Sequence, residues 1–278
     1  MVMRRIIALL VAVVLLAACG DDGGGGEAGA TTDEVRTTPL VFGEGDEVWL
    51  RVHTGGGFVP LIINQREVPE VLLFDDGRLV RLTSDDGAVV PELEVAQLDE
   101  DEVAALLDEA GAVIAGPAVG FPNVTDLPTT TIHLTTDGDD GTLEVYALGF
   151  DDEQLTAEEQ AARASVTALL DDLAAAGSAE PFVPDEWLVL TTATLEGADV
   201  TETVPWPLDP DRAATAATPS VCTRVSGEDA TAVLEALATD DPFTYLDTGT
   251  TVVEVALRPV LTGEETCNLS EYEDFVER

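Results

Sequence analysis

Three apolar stripes at helical spacing are the feature that most limits what this chain of 278 residues can fold into. Each stripe follows a residue that is typical of a helix N-cap, and the predicted helices therefore begin at Asp99, Thr156 and Ser226. The stripes consist of Val103, Leu106, Leu107 and Ala110, then Ala162, Val166, Leu169, Leu170 and Leu173, and finally Ala230, Val233, Leu234 and Leu237. Since the opposite faces are acidic, each helix is expected to lie on a sheet and to face water on its other side.

The ends of these helices are also marked in the sequence. An acidic residue three positions after each cap (Glu102, Glu159 or Asp229) has the spacing of a capping box. Gly111 and Gly177 are expected to end the first and second helices, because glycine readily adopts the left-handed conformation of a helix C-terminus.

Short segments of alternating or apolar residues lie between the helices and predict strands. Val71–Phe74 and Arg78–Leu82 flank Asp75-Asp76-Gly77, which is a typical hairpin turn. The other predicted strands are Val48–His53, Ile132–Leu134 paired with Leu143–Ala147, Trp187–Leu190 and Val252–Leu257. Tight hairpins between helices predict an α+β fold, with antiparallel sheets and about three helices packed on them.

The charge balance excludes some functions. The chain has 55 acidic residues and 12 basic ones, all arginine, which gives a net charge of −43. Nucleic-acid binding and the binding of a polybasic segment to anionic lipids both need clustered Lys and Arg, so neither is a main activity. The hydrophobic content of 45% is enough for a sizeable core. Because the acidic residues are spread through helices and turns, we interpret the negative charge as a property that keeps the whole surface solvated.

The N-terminal segment has the organisation of an export signal. Arg4 and Arg5 precede residues 6–18, which are continuously apolar. These thirteen residues are fewer than the roughly 20 that a helix needs to cross a bilayer. The paired arginines leave both general secretory and twin-arginine export open, and the flanking residues favour the general route.

The end of this signal carries a resemblance to a known class. Leu16-Ala17-Ala18-Cys19 resembles the lipobox of bacterial lipoproteins. The resemblance implies that residues 1–18 are removed and that Cys19 carries a thioether-linked diacylglycerol. Acyl chains such as palmitate would then hold the protein on the extracytoplasmic face of the cell membrane. The body, in segments such as 56–60 and 257–261, is similar to secreted lipoproteins of GC-rich bacteria, which implies no activity.

The rest of the chain divides into a tether and a globular region. Residues 19–45 are rich in Gly and Asp and are expected to form a flexible tether. Residues 46–278 are expected to be globular. Since a helix precedes a strand in both halves, the pattern also allows two similar lobes, 46–150 and 183–278, joined by the helix at 156–176.

The two remaining cysteines, Cys222 and Cys267, are predicted to form one disulfide bond, because disulfides persist in the compartments that an exported chain enters. The bond would close a loop of about 45 residues and stabilise the fold by roughly 4 kcal/mol. A redox or metal pair is the alternative, but the chain has no CxxC motif.

No catalytic residue, metal site or cofactor is predicted. The chain lacks the GxSxG motif of serine hydrolases. His53 and His133 alternate with apolar neighbours, so both are expected to face solvent, and they could share a site only if their strands were neighbours. Residues 55–57 are interpreted as a glycine turn, and residues 137–141 as a hairpin turn whose spacing fails the EF-hand pattern.

The sequence therefore favours a non-catalytic binding or interaction module with a protein or small-molecule partner. The alternative is a cell-envelope hydrolase that uses paired carboxylates, although no pair can be located in so acidic a chain. Two long connections, residues 112–130 and 196–219, are expected to cover the surface, and either is a candidate binding rim.

The acid excess leads to a prediction about salt. We expect the melting temperature to rise between low salt and molar sodium chloride, because salt screens the repulsion among carboxylates. Sodium chloride is used because sulfate stabilises most proteins through exclusion from their surface. A melting temperature that is unchanged or lowered in molar sodium chloride would contradict this interpretation.

Overall fold

The structure, a computed structural model, describes residues 47–58, 67–84, 88–136, 138, 140–150, 153–194, 203–215, 218, 220–238 and 245–262. These residues belong to one compact unit, residues 40–278. The described residues form three α-helices and two mostly antiparallel sheets, which confirms the predicted α+β class. The sheets differ in strand number and order, with seven strands in one and five in the other.

The first sheet is entirely antiparallel. Its strands are β1 (Val48–Gly55), β2 (Val71–Phe74), β3 (Arg78–Leu82), β4 (Leu93–Gln97), β5 (Thr129–Thr135), β6 (Asp140–Tyr146) and β7 (Ala179–Phe182). Their order across the sheet is β6-β5-β1-β2-β3-β4-β7. The predicted hairpin at residues 75–77 joins β2 to β3, and the predicted pairing of Ile132 with Leu143 joins β5 to β6. Gly77 has a φ of +82°, as the turn requires.

The second sheet is formed by the following part of the chain. Its strands are β8 (Glu186–Ala193), β9 (Val204–Pro205), β10 (Ser220–Ser226), β11 (Tyr245–Asp247) and β12 (Val252–Pro259). Their order is β10-β8-β12-β11-β9, and only the short β9–β11 pair is parallel among the described strands. A 3₁₀ turn at Pro210–Arg212 precedes β10.

The helices lie where the apolar stripes predict them. Helices α1 (Glu100–Ile114) and α2 (Ala157–Ala175) pack side by side on the first sheet, and α3 (Gly227–Leu237) packs on the second. Asp99 and Thr156 are N-caps with complete capping boxes, as predicted. Gly177, which has a φ of +64°, follows the end of α2.

Two predictions about helix ends are wrong. Helix α1 runs through Gly111 as far as Ile114, because the last residues of α1 still pack on the core and keep the helix intact. Ser226 is the N-cap of α3, but its side chain makes no capping hydrogen bond. Asp229, the expected box partner, instead forms an ion pair with Arg212 at 2.5 Å.

Each sheet buries one face beneath its helices, and apolar side chains also cross between the two sheets. Val89, from the connection between β3 and β4, packs beside Trp187 in the core of the second sheet. Leu261, which follows β12, packs with Phe74 on the face of the first sheet that the helices leave uncovered. Parts of the chain that belong to the two sheets therefore share buried contacts, which explains why they form one compact unit.

Candidate functional site

Three phenylalanines in the described part of the chain are exposed. Phe58 is 89% exposed, Phe121 is 73% exposed and Phe150 is 41% exposed. Aromatic rings contribute most to stability when they are buried, so their exposure brings little benefit to an isolated molecule. Exposed apolar patches commonly mark interaction sites, which makes the location of these three rings informative.

Strand pairing brings these rings to one end of the first sheet. Gly55, at the end of β1, lies opposite Thr129 at the start of β5, and Thr129 lies opposite Tyr146 at the end of β6. Adjacent strands are about 4.8 Å apart, so the three positions form a row about 10 Å long. Phe58 and Phe150 follow the ends of β1 and β6 within a few residues.

Phe121 reaches the same row by stacking on Tyr146. The two ring centroids are 4.5 Å apart and the ring planes differ by 7°. The hydroxyl of Tyr146 accepts a hydrogen bond from the backbone N–H of Leu127 and donates one to the backbone oxygen of Val124, each at 3.2 Å. Tyr146 thus fixes the proline-rich loop that carries Phe121. We refer to Phe58, Phe121, Tyr146 and Phe150 as the aromatic surface.

A buried guanidinium supports this surface from inside the protein. Nη2 of Arg163, on α2, donates hydrogen bonds to the backbone oxygens of Tyr146 (2.9 Å) and Ala147. Burial lowers the pKa of Arg163, but an arginine side chain stays protonated at neutral pH. Ala147 adopts a φ of +51°, and its N–H donates to the backbone oxygen of Pro128 at 2.8 Å. The turn that leads to Phe150 is therefore held to α2 and to Pro128, the residue before β5.

Phe58 is tied to the loop of Phe121 through the backbone. The N–H of Phe58 donates to the backbone oxygen of Asp126 at 3.5 Å. Gly57, with a φ of +82°, approaches the same residue so closely that a Cβ atom would lie 3.2 Å from that oxygen. A side chain at Gly57 would strain this contact, so the two loops depend on glycine at this position.

A histidine–glutamate pair lies behind the loop of Phe58. Nε2 of His53 is 3.4 Å from Oε2 of Glu67, and Oε1 of Glu67 accepts a hydrogen bond from the N–H of Gly56 at 3.0 Å. His53 is half-buried, so the prediction that it faces solvent is wrong. Because Glu67 contacts both the imidazole and the glycine turn, the pair fixes the backbone that leads to Phe58.

His133 is exposed, as predicted, and is bonded to threonines. Its ring nitrogens are 2.8 Å from the hydroxyl of Thr142 and 3.0 Å from that of Thr135. Strands β1 and β5 are neighbours, and His53 lies opposite Thr131, so the two histidines share one face of the sheet. Their side chains nevertheless have different partners. Within the described ranges, no group of three or more His, Cys, Asp or Glu residues is arranged to hold a metal ion.

Glu109 on α1 and Asp172 on α2 form a carboxyl pair between the two helices of the first sheet. Burial raises the pKa of Glu109, and the charge and hydrogen bond of Asp172 raise it further. The pair lies beside an open groove of about 300 Å³ between α1 and α2, lined by Val113, Pro117 and Ala162 among others. Glycoside hydrolases hold their two carboxyl groups about 5–10 Å apart, with the scissile bond between them. Carboxyl groups that are hydrogen-bonded to each other do not leave that space.

A second groove lies on the other sheet. It has a volume of about 620 Å³ and is open to solvent, between the connection that precedes β8 and the helix α3. Val183, Pro184 and Leu234 supply its apolar lining, and Asp185, Glu228 and Glu235 supply carboxylates. Its shallow form is that of a surface depression rather than an enclosed ligand site.

Several predicted positions lie outside the described residues, among them Cys19 and Cys267. Cys222 lies on β10 opposite Leu190. Its pairing with Cys267 stays a prediction, as does lipidation of Cys19. None of the helices in the described part of the chain is both long and apolar enough to cross a membrane.

The sequence indicated only part of this site. The connection at residues 112–130 was a candidate rim, and it carries Phe121. The described part of the other connection, 196–219, carries Trp206, which is buried in the core of the second sheet. Phe58 and Phe150 were not identified, although each follows a glycine at the end of a predicted strand, which is where an exposed loop residue is expected.

The comparisons with known proteins add no family to this picture. The chain matches no protein-family model, and neither the curated proteins nor the solved structures include a significantly similar one.

The stacked pair leads to a prediction about the loop of Phe121. Tyr146→Phe keeps the ring stack but removes the hydroxyl that bonds the loop at Val124 and Leu127. We expect a loss of about 1–2 kcal/mol in the free energy of unfolding, measured by denaturant titration. We also expect faster amide hydrogen exchange at Leu127. Tyr245→Phe, the same change on β11, is the control, and unchanged exchange at Leu127 in Tyr146→Phe would contradict the assignment.

Proposed function

We propose that the protein is a lipid-anchored, extracytoplasmic binding module without catalytic activity, and that it presents the aromatic surface to a partner in the cell envelope. The observation that carries the proposal is the placement of three exposed phenylalanines at one end of one sheet. The lipobox-like Leu16-Ala17-Ala18-Cys19 supports the anchor.

The rigidity of the aromatic surface supports a binding role. Phe121 is stacked, and the backbones beneath Phe58 and Phe150 are bonded to neighbouring loops and to Arg163. A surface that is fixed before binding loses less conformational entropy when a partner arrives. Aromatic side chains are also the residues that most often contribute large binding energies at protein interfaces.

The tether suits such a role. If residues 19–45 form the flexible Gly- and Asp-rich tether that the sequence predicts, these 27 residues have an average reach of roughly 25–30 Å. Such a length allows the folded unit to turn its binding surface towards a partner on the same membrane or in the adjacent envelope.

A hydrolase that uses paired carboxylates is less well supported. Glu109 and Asp172 contact each other directly, on an open groove between two helices. A catalytic pair needs a gap that holds the substrate bond or a water molecule. The geometry therefore favours an ordinary contact between helix surfaces over an acid–base pair.

One fractionation experiment tests the anchor and the binding surface together. We expect the wild-type protein in the membrane fraction with an acylated Cys19, and the Cys19→Ser chain in the soluble fraction after signal cleavage. The released chain should still bind isolated cell envelopes saturably. The additional changes Phe58→Ser, Phe121→Ser and Phe150→Ser should weaken that binding about tenfold or more, because they remove the apolar contact area without a change in charge.

The controls separate the two claims. Cys222→Ser with Cys267→Ser makes the same chemical change at the other cysteines and should leave the protein in the membrane. Circular dichroism should show that the triple serine variant keeps its fold, since the three rings are exposed. A Cys19→Ser chain that stays in the membrane would contradict the anchor. Envelope binding that is equal with and without the three rings would contradict the binding surface.

A further inference from the structure

We propose that the aromatic surface binds a polypeptide segment in which arginine or lysine alternates with apolar side chains. This inference rests on the proposed function, because it names the partner of the same surface. Three observations support it: the charge of the chain that builds the surface, the carboxylates beside the rings, and the exposed face of the stacked ring.

The part of the chain that builds most of the surface is strongly acidic. Residues 82–162 contain 20 Asp and Glu residues and neither Arg nor Lys. This range includes β5, β6, Phe121 and Phe150. The guanidinium of Arg163, which follows it, is buried and bonded to backbone oxygens. This part of the chain therefore has a strong net negative charge, which attracts cations over a distance of about 8–10 Å at physiological salt.

Two carboxylates lie next to the exposed rings. Asp126 is exposed and belongs to the loop that carries Phe121. The carboxyl group of Glu159 packs against Gly120, where a Cβ atom would lie 2.7 Å from it. Hydrogen bonds from Thr156 lower the pKa of Glu159, so its carboxylate is ionised at neutral pH. Each carboxylate can accept a charge-assisted hydrogen bond from a guanidinium or an ammonium group.

The stacked ring favours a cation as well. Tyr146 covers one face of Phe121, and the ring remains 73% exposed. The face of an aromatic ring is negative and attracts Arg or Lys within about 6 Å of its centre. The exposed rings of Phe58 and Phe150 offer apolar contact to the intervening side chains of the same segment. Anionic lipids and acidic polysaccharides lack this complementarity and would be repelled.

The test uses short blocked peptides and the Cys19→Ser chain, so that no acyl chain takes part. Acetyl-GRLRLRG-amide carries the proposed pattern, acetyl-GRSRSRG-amide has the same charge without apolar side chains, and acetyl-GELELEG-amide reverses the charge. We expect the first peptide to bind about tenfold more tightly than the second in fluorescence titrations at physiological salt, and the third not to bind. The triple serine variant should bind the first peptide about tenfold more weakly.

Matched charge variants separate a local site from general attraction to an acidic protein. Asp126→Asn with Glu159→Gln removes two carboxylates beside the rings. Asn tolerates the φ of +63° at position 126, and Gln can replace Glu in the capping box. Glu228→Gln with Glu235→Gln removes two exposed carboxylates from α3, on the second sheet. We expect the first pair to weaken binding of the basic apolar peptide at least threefold and the second pair to change it less than twofold.

Three results would overturn the proposal. One is equal weakening by the two charge pairs, which would show diffuse attraction only. Another is equal affinity for the two basic peptides. The third is ring-dependent binding to phosphatidylglycerol vesicles or to a neutral oligosaccharide in place of the basic apolar peptide. If the peptides fail while envelope binding still depends on the three rings, the partner chemistry is wrong and the proposed function stands; if both fail, the proposed function fails as well.

Discussion

Buried guanidinium groups that bond to backbone oxygens hold helix α2 on the first sheet at both of its ends. At the C-terminal end, Nη1 of Arg81 on β3 donates to the backbone oxygens of Leu173, Ala174 and Ala176, and Nη2 pairs with Glu94 at 2.7 Å. These oxygens belong to the last turn of α2 and to its C-cap residue, where the helix dipole is negative. Near the other end, Arg163 donates to the end of β6. Loss of either guanidinium would leave buried oxygens without a donor, which costs about 1–3 kcal/mol for each group.

The burial of arginine side chains also affects the charge of the protein surface. Arginine is the only basic residue besides histidine in the chain, and within the described ranges four of its side chains are buried: Arg78, Arg81, Arg163 and Arg258. Arg81 and Arg163 thus direct positive charge inwards, towards backbone oxygens, while no acidic residue in the described part of the chain is buried. The aromatic surface combines both effects, since Arg163 fixes its backbone from inside and the carboxylates of Asp126 and Glu159 lie in and beside the loop of Phe121. The result is a small apolar area in an anionic field, and that combination is the basis for assigning it a cationic, apolar partner.

The sequence predicted the local elements well because their signals are local. Capping boxes at Asp99 and Thr156 and the turn at residues 75–77 each depend on a few adjacent residues. Strands β4, β7, β9, β10 and β11 were missed. Strands β4 and β7 show why, since their pairing joins residues almost ninety positions apart and their sequences lack a strict alternation. The capping box predicted at Ser226 does not form, because Asp229, the residue that it requires, forms an ion pair with Arg212 instead.

The candidate site was less predictable than the fold. Phe58, Phe121 and Phe150 come from three distant segments, and only the order β6-β5-β1 places those segments side by side. That order depends on the pairing of β1 with β5 across some eighty residues, which no turn signal marks. The sequence could indicate that each phenylalanine lies in a loop next to Gly or Pro. It could not indicate that the loops meet, since this follows from sheet order and from the contact of Gly57 with Asp126.

The central claim is that Arg163 holds the backbone of the aromatic surface in place, and local amide hydrogen exchange tests it most directly. In Arg163→Met, which keeps an unbranched apolar stem but removes the guanidinium donors, the amides of Ala147 and Phe150 should exchange at least about tenfold faster, while that of Val80 on β3 should change less. Arg78→Met removes another buried guanidinium, on β3, and should not have this local effect. Equal protection of Ala147 and Phe150 in the wild type and in Arg163→Met would contradict the account.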